Sequence, residues 1–174
     1  DSVQHVQNPY VIAEGENLLP PFSEWTKHAS LVEKVSNPYE ITYEISTVTT
    51  QALNVTVNVI KGQQYTFSWE KDKTQQAVVM DARTGSYINS YTNANSFSFT
   101  ATSDLITIII RSGDSIATLS NPYTIKNPML TVGNQVKPFV PRNPSHLFAE
   151  VKLGALADKK DILWKDGQDW KVLK

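Results

Sequence analysis

Apolar and polar residues alternate along most of this chain with a period of two. In residues 39–46, tyrosines and isoleucines occupy every other position, and polar or charged residues fill the positions between them. Because successive side chains of a strand point to opposite faces, this pattern predicts a β-strand with one buried face. The same reasoning predicts further strands at residues 10–13, 53–60, 63–70, 76–82, 87–91, 96–101 and 104–111. Residues 123–126 and 129–132 supply one or two more strands around the Asn-Pro pair at 127–128.

Residues 104–111 are the most strand-like segment of the chain. They are dominated by Leu and Ile, and they end at a Ser-Gly-Asp sequence where the chain must turn. We expect a central strand whose even-numbered isoleucines face the core. The opposite face combines Thr107, Ile109 and Arg111, and it is either a binding floor or a second buried surface.

Strands separated by turn signals about every 8–12 residues are typical of an all-β sandwich. We expect the sandwich to occupy residues 1–141. Residues 142–174 are predicted to form a linker followed by a C-terminal β-hairpin extension. The linker has Pro and small polar residues, and an Asp-Gly pair at 166–167 separates two hydrophobic runs.

The charge balance narrows the class of partner. Sixteen basic and seventeen acidic residues give a formal charge of −1, without a long run of either sign. Nucleic acids and anionic membranes both select a basic surface, so neither is an expected partner. The absence of cysteine excludes disulfides and thiolate metal sites, and no apolar run reaches the roughly 20 residues that span a bilayer.

Catalytic chemistry finds little support in the sequence. The three histidines, at positions 5, 28 and 146, lie in segments predicted to be irregular, and no serine nucleophile motif accompanies them. Most strand carboxylates fall on the parity that faces solvent. A glycan-cleaving enzyme would require two acids that face each other across a cleft. We therefore predict a protein that is not an enzyme.

Aromatic and planar polar side chains suggest sugar binding, because rings stack on the apolar faces of sugars while amides and guanidinium groups pair with hydroxyls. Tyr87, Asn89 and Tyr91 share one strand parity, beside an exposed turn. Trp69 continues an aromatic stripe and is expected in the core, whereas Trp25 either caps the core or stands on the surface. The candidate ligand-binding residues are Trp25, Arg83, Tyr87, Asn89, Tyr91 and Arg111.

Two segments of the chain resemble carbohydrate-binding-type modules found in tail and baseplate proteins of phages that infect Gram-positive bacteria. Residues 123–141 are similar to the closing segment of those modules: an Ile-x-Asn-x-Met-Leu strand, a Gly, and an aromatic residue between prolines. The Asn-Leu-Leu-Pro sequence at 17–20, followed by Trp25, resembles their opening. Residues 151–163 are similar to the Leu-rich piece that often follows them.

The resemblance implies a jelly-roll β-sandwich that binds host cell-wall polysaccharide during adsorption. It also implies a location in the virion, as part of the tail or baseplate, with other tail or baseplate subunits as partners. Such modules need no catalytic cofactor, but they often carry a structural calcium ion. Glu24 is the residue where we expect calcium, although the family's usual Asp-Phe-Glu sequence after the Asn is missing here. The alternative is a structural module that links or decorates baseplate subunits without a ligand.

Overall fold

A computed structural model of the chain describes residues 15–111 and 119–143. Within these two ranges, strands account for nearly all of the regular structure, and the one helical element is a short 3-10 turn at Phe22–Glu24. The strands are β1 (Thr26–Lys27), β2 (Leu31–Asn37), β3 (Glu40–Ile45), β4 (Leu53–Asn58), β5 (Gln64–Lys71), β6 (Ala77–Asp81), β7 (Ser96–Thr100), β8 (Leu105–Ile110) and β9 (Tyr123–Val132).

The strands form two antiparallel sheets. The four-stranded sheet has the order β1-β4-β8-β6, and the five-stranded sheet has the order β2-β3-β9-β5-β7. From β4 to β9, each strand lies in the opposite sheet from the strand before it, so the chain crosses between the sheets at every connection after β3. This wrapping makes the described part an all-β jelly-roll sandwich, which confirms the predicted fold class.

The core lies between the two sheets and is lined by large apolar side chains. Ile106, Ile108 and Ile110 are fully buried on the inner face of β8, as their alternation predicts. Tyrosines also enter the core because their hydroxyl groups find partners there. The hydroxyl of Tyr43, for example, donates to Oε1 of Gln75 at 2.7 Å, so its ring can be buried without an unpaired polar group.

The outer face of β8 is covered along most of its length. β8 lies between β4 and β6, which confirms its central position. Thr107 is 7% exposed and shares a 2.8 Å hydrogen bond with the hydroxyl of Thr56, and Ile109 is 1% exposed. The sequence leaves this face open as a binding floor or a second buried surface, and the structure shows the buried surface. Arg111, at the end of the face, is half-buried.

One predicted element differs from the observed one. Residues 87–91 do not form a strand; they run beside β6 and touch it through isolated bridges, one of which joins Met80 and Tyr87. Of the one or two strands predicted around residues 127–128, the structure has one, β9, whose ladder with β5 is interrupted by a register shift.

Asn17 joins the start of the described chain to its end. Its side-chain oxygen accepts hydrogen bonds from the backbone N–H groups of Leu19 (2.9 Å) and Leu130 (3.0 Å). Its amide group donates to the carbonyl oxygens of Pro128 (3.2 Å) and Val140 (2.9 Å). The two segments that carry the family resemblance are therefore held together by one buried side chain.

Several predictions fall outside the described residues: the strand at 10–13, the C-terminal hairpin and the tail segment at 151–163. At the predicted domain boundary, the backbone N–H of Arg142 donates to the hydroxyl of Tyr39 at 2.9 Å, so this residue still contacts the sandwich. In the part of the chain that the structure describes, no helix has the length and apolar character needed to cross a membrane.

Candidate functional site

Three of the residues predicted to bind ligand come together on the outer face of the four-stranded sheet. We call Tyr87, Tyr91 and Arg111 the tyrosine patch. The rings of Tyr87 and Tyr91 meet nearly at right angles, with their centroids 5.8 Å apart. The guanidinium carbon of Arg111 lies 4.2 Å from the centroid of the Tyr91 ring, which is a stacking distance. Tyr87 is 53% exposed and forms the open part of the patch.

The Tyr91 ring is fixed at both ends. Its backbone belongs to the segment beside β6, and its hydroxyl donates to the carbonyl oxygen of Thr50 at 3.0 Å, just before β4. The ring therefore crosses the end of the sheet. Burial, together with a hydrogen bond involving Tyr87, raises the pKa of Tyr91 to about 12, so its hydroxyl stays protonated at neutral pH.

Asn89 and Arg83 do not join the patch. The side-chain oxygen of Asn89 accepts a hydrogen bond from the backbone N–H of Val79 at 2.8 Å, and this bond connects the segment at 87–91 to β6. Arg83 lies at the opposite end of β6 and donates from Nε to the Asp104 carboxylate at 2.9 Å. Both side chains have structural partners, and neither of them is a residue of the tyrosine patch.

Trp25 is a core residue. It is 4% exposed, its ring packs against Phe22 with a centroid distance of 5.0 Å, and its Nε1–H donates to the carbonyl oxygen of Pro20 at 3.1 Å. Of the two roles that the sequence allows, the structure has the core cap. Trp25 is therefore removed from the candidate surface, because a buried ring cannot stack on a sugar.

The surroundings of Glu24 do not fit a calcium site. Both carboxylate oxygens of Glu24 accept from Nη2 of Arg142, at 3.1 and 3.3 Å, and the Arg142 side chain is buried. A cation at Glu24 would face this guanidinium charge. In residues 15–111 and 119–143, no three His, Cys, Asp or Glu side chains cluster in a way that could hold a metal ion.

A groove of about 490 Å³ crosses the outer face of the five-stranded sheet. It lies between the ends of β5 and β7 on one side and the segment that follows β9 on the other. Its lining combines amides, charged groups of both signs and aromatic carbon, and includes Glu70, Lys71, Asn95, Asn127, Lys137 and Phe139.

A β-bulge in β9 shapes this groove. Between the pairs Ser68–Met129 and Glu70–Lys126, two residues of β9 oppose a single residue of β5. Asn127, the first of these two residues, has φ of 55°, a left-handed conformation that Asn tolerates better than most residues. Its side-chain amide donates to Oε2 of Glu70 at 3.1 Å. The bulge thus sets an amide and a carboxylate side by side in the groove.

Lys71 forms one wall of the groove. Its ammonium group donates to the carbonyl oxygen of Asn93 at 2.8 Å and to the side-chain oxygen of Asn95 at 2.7 Å, and it lies 4.9 Å from the centroid of the Trp69 ring. Partial burial lowers the pKa of Lys71. These contacts fix the turn before β7, so that the Asn95 amide is held at the groove in one position.

The groove has an aromatic side and a shallower continuation. Phe139 is half-buried and packs edge-on against Tyr39, with a centroid distance of 5.1 Å, so its ring is fixed at the rim. A second depression of about 190 Å³ shares Glu70 and Lys71 with the groove and continues to Asp72. The two together form a path along the sheet, which suits an extended ligand better than a compact one.

Sequence reasoning missed the groove. Glu70 follows the rule that most strand carboxylates face solvent, and this placement is locally correct. One signal was present: Pro128 cannot donate to a strand ladder, so an Asn-Pro pair inside a predicted strand indicates a bulge. Phe139 gave no such signal, because its position depends on contact with Tyr39, far away in the sequence.

Comparison with known proteins adds little. No family model matches the chain, and no curated protein matches it. A solved structure described as "CBM4 structure and function", a carbohydrate-binding module, matches with 14% sequence identity and a TM-score of 0.44; the match covers 71% of this chain and 100% of that chain. A likeness this distant is no evidence for a ligand.

Proposed function

We propose that this protein is a non-catalytic saccharide-binding module whose ligand lies in the groove of the five-stranded sheet. The observation that carries the proposal is the groove of about 490 Å³, in which Glu70, Asn95, Asn127 and Phe139 line one concavity. Ligand sites are typically concave surfaces of this size, with a few polar groups that fix the orientation of the ligand.

The chemistry of the lining favours a sugar over an apolar ligand. Vicinal hydroxyls both donate and accept, so they pair well with a carboxylate such as Glu70 and with amides such as Asn95 and Asn127. The Phe139 ring offers an apolar surface for the C–H face of a sugar. Since the depression beyond Lys71 continues the path, a polysaccharide segment fits better than a monosaccharide.

The acids at the groove have binding partners of their own. Glu70 accepts from Asn127, and the Asp72 carboxylate accepts from the backbone N–H of Thr124 at 2.9 Å. In this proposal both acids orient hydroxyls and neither cleaves a bond. Incubation of the protein with a bound polysaccharide should therefore release no new reducing ends, whereas a glycan-cleaving enzyme would release them.

The biological setting that we propose rests on the resemblance at residues 17–20 and 123–141. The chain is then a module of a phage tail or baseplate protein, located in the virion and exposed to the outside of the host cell. Its ligand is host cell-wall polysaccharide, and its other partners are tail or baseplate subunits.

A paired set of variants tests the groove. E70A/N95A removes one carboxylate and one amide from the lining, and we expect it to bind purified Gram-positive cell-wall polysaccharide about tenfold more weakly or worse in calorimetric titration. E44A/N37A is the matched control, because it removes the same two chemical groups from β3 and β2 of the same sheet, away from the groove. Its affinity should equal that of the unmodified protein.

Two results would contradict the proposal. One is equal weakening by both double variants, and the other is failure of the protein to bind wall polysaccharide from any susceptible strain. The second result, together with normal assembly into a baseplate complex, would favour the structural alternative, in which the sandwich links subunits without a ligand.

A further inference from the structure

The tyrosine patch is a second polar surface that the groove does not explain. Its residues belong to the outer face of the four-stranded sheet and its edge, whereas the groove lies on the outer face of the five-stranded sheet. The two surfaces are therefore on opposite sides of the sandwich. A ligand in the groove cannot reach Tyr87 or Arg111, so the patch needs a role of its own.

The charge of Arg111 has no acidic partner among the described residues. Nη2 of Arg111 donates to Oε1 of Gln76, and the guanidinium stacks on Tyr91, but both contacts are with neutral groups. The Nε–H is shielded from water and has no hydrogen-bond partner among residues 15–111 and 119–143. A guanidinium that has lost part of its hydration without gaining a carboxylate attracts an anion more strongly than one in bulk water.

Two carboxylates at the other end of β6 have hydrogen-bond partners of their own. At the far end of β6, the Asp81 carboxylate accepts from backbone N–H groups and from hydroxyls, including that of Ser103 at 2.9 Å. Asp104 is paired with Arg83. Neither of these carboxylates pairs with Arg111, whose guanidinium stacks on Tyr91, the ring that contacts the exposed Tyr87.

The geometry of the patch suits a ligand with two features. Tyr87 is 53% exposed and is held at right angles to Tyr91, so it presents an aromatic surface of fixed orientation. Arg111 is held by Tyr91 and Gln76, so its remaining N–H donors also have a fixed direction. Tyr91 contacts both groups, so an exposed ring and an oriented guanidinium lie on either side of it, and this pair matches a sugar ring that carries an anionic group.

We propose that the tyrosine patch is a second binding site, selective for acidic saccharides, in which the sugar stacks on Tyr87 and its anionic substituent accepts hydrogen bonds from Arg111. The anion is a carboxylate, as in a uronic acid, or a phosphate, as in a sugar or polyol phosphate. Planar guanidinium groups bind both anions through parallel hydrogen bonds.

The test uses the full chain and two acidic probes, an oligogalacturonate and a glycerol phosphate oligomer, with maltotetraose as the neutral comparison. We expect at least one acidic probe to bind, and R111Q to weaken that binding about tenfold or more. R111K keeps the charge but loses the planar guanidinium, so its affinity for the acidic probe should lie between those of the unmodified protein and R111Q. Y87A should also weaken binding of the acidic probe. The groove variant E70A/N95A should leave this binding unchanged, which separates the patch from the groove.

Thermal unfolding of R111Q and Y87A checks that each variant is folded. If R111Q unfolds, Y87A alone carries the test, because Tyr87 is exposed and its removal leaves the core intact. The inference is overturned if neither acidic probe binds better than maltotetraose, or if folded R111Q or Y87A binds the acidic probe as tightly as the unmodified protein. The identity of the acidic probe that binds distinguishes a carboxylate from a phosphate ligand.

Discussion

Asp81 illustrates how a single side chain organises the turn at the C-terminal end of β6. It is 2% exposed at the end of β6, and Oδ1 accepts from the backbone N–H groups of Arg83 (2.8 Å) and Thr84 (3.1 Å). The hydroxyls of Thr102 and Ser103 complete the set. These donors, led by the Thr102 hydroxyl, lower the pKa of Asp81 from 3.8 to about 2.

This depressed pKa predicts a pH-dependent contribution to stability. A carboxylate with a folded-state pKa below its unfolded value stabilises the native state at neutral pH, and the contribution is lost as the pH falls from about 4 to about 2. D81N replaces one acceptor oxygen with an amide that cannot accept from Thr102. We expect D81N to lower the free energy of unfolding by about 2 kcal/mol at pH 7, measured by urea denaturation.

D104N is the control for this prediction. Asp104 is half-exposed and its ion pair is with Arg83 at the surface, so its loss should cost about 0.5 kcal/mol or less. The difference between D81N and the unmodified protein should shrink as the pH is lowered toward 2. A loss in D81N that matches D104N, or that does not change with pH, would contradict the proposed role of Asp81.

At the scale of the element, the bulge in β9 links the sheet to the groove. Asn127 holds a left-handed conformation, and its backbone N–H donates to the carbonyl oxygen of Tyr39 at 2.8 Å. N127A and N127G both remove the side-chain amide, but only Gly adopts this conformation without steric cost. We expect N127A to be less stable than N127G by roughly 0.5–1 kcal/mol in urea denaturation.

N127G should therefore keep the shape of the bulge while it loses the hydrogen bond to Glu70. Comparison of the two variants isolates the backbone conformation, since neither retains the amide. If N127A is as stable as N127G, the left-handed conformation at this position does not constrain the strand, and the bulge needs another explanation.

Most strands of this protein are predictable from residue alternation, because burial of one face imposes a period of two. Ile106, Ile108 and Ile110 follow this rule and lie in the core. Residues 87–91 follow the same pattern but form isolated bridges with β6. There the backbone N–H of Val79 donates to the side-chain oxygen of Asn89 rather than to a backbone carbonyl. Alternation predicts which faces are buried, but it does not determine whether a segment completes a hydrogen-bonded ladder.

The candidate site was only partly predictable, because it depends on which segments meet. Tyr87 and Tyr91 are close in the sequence, and their pairing follows from the local pattern. The approach of Arg111 to Tyr91 depends on β8 lying beside β6, which alternation cannot specify. The groove depends still more on distant segments, as Lys71 bonds to Asn95 and Phe139 packs on Tyr39.

In the whole molecule, the two candidate surfaces, the groove and the tyrosine patch, lie on opposite outer faces of the sandwich. The groove lies on the five-stranded sheet and the tyrosine patch on the four-stranded sheet, with the shared core between them. Because the two surfaces have no residue in common, occupation of one should leave the affinity of the other unchanged. Such an arrangement allows one module to contact two polysaccharide chains at once.

Saccharide binding in the groove can be tested by mapping backbone amide chemical shifts during titration with Gram-positive cell-wall polysaccharide fragments. We predict that the largest shifts cluster at residues 68–71, at 95–96, at Asn127 and at residues 136–139, excluding Pro138, which has no amide N–H. The E70A/N95A variant should lose these shifts while keeping its dispersed spectrum. A saturating titration in which the groove amides do not move, while others do, would contradict binding in the groove.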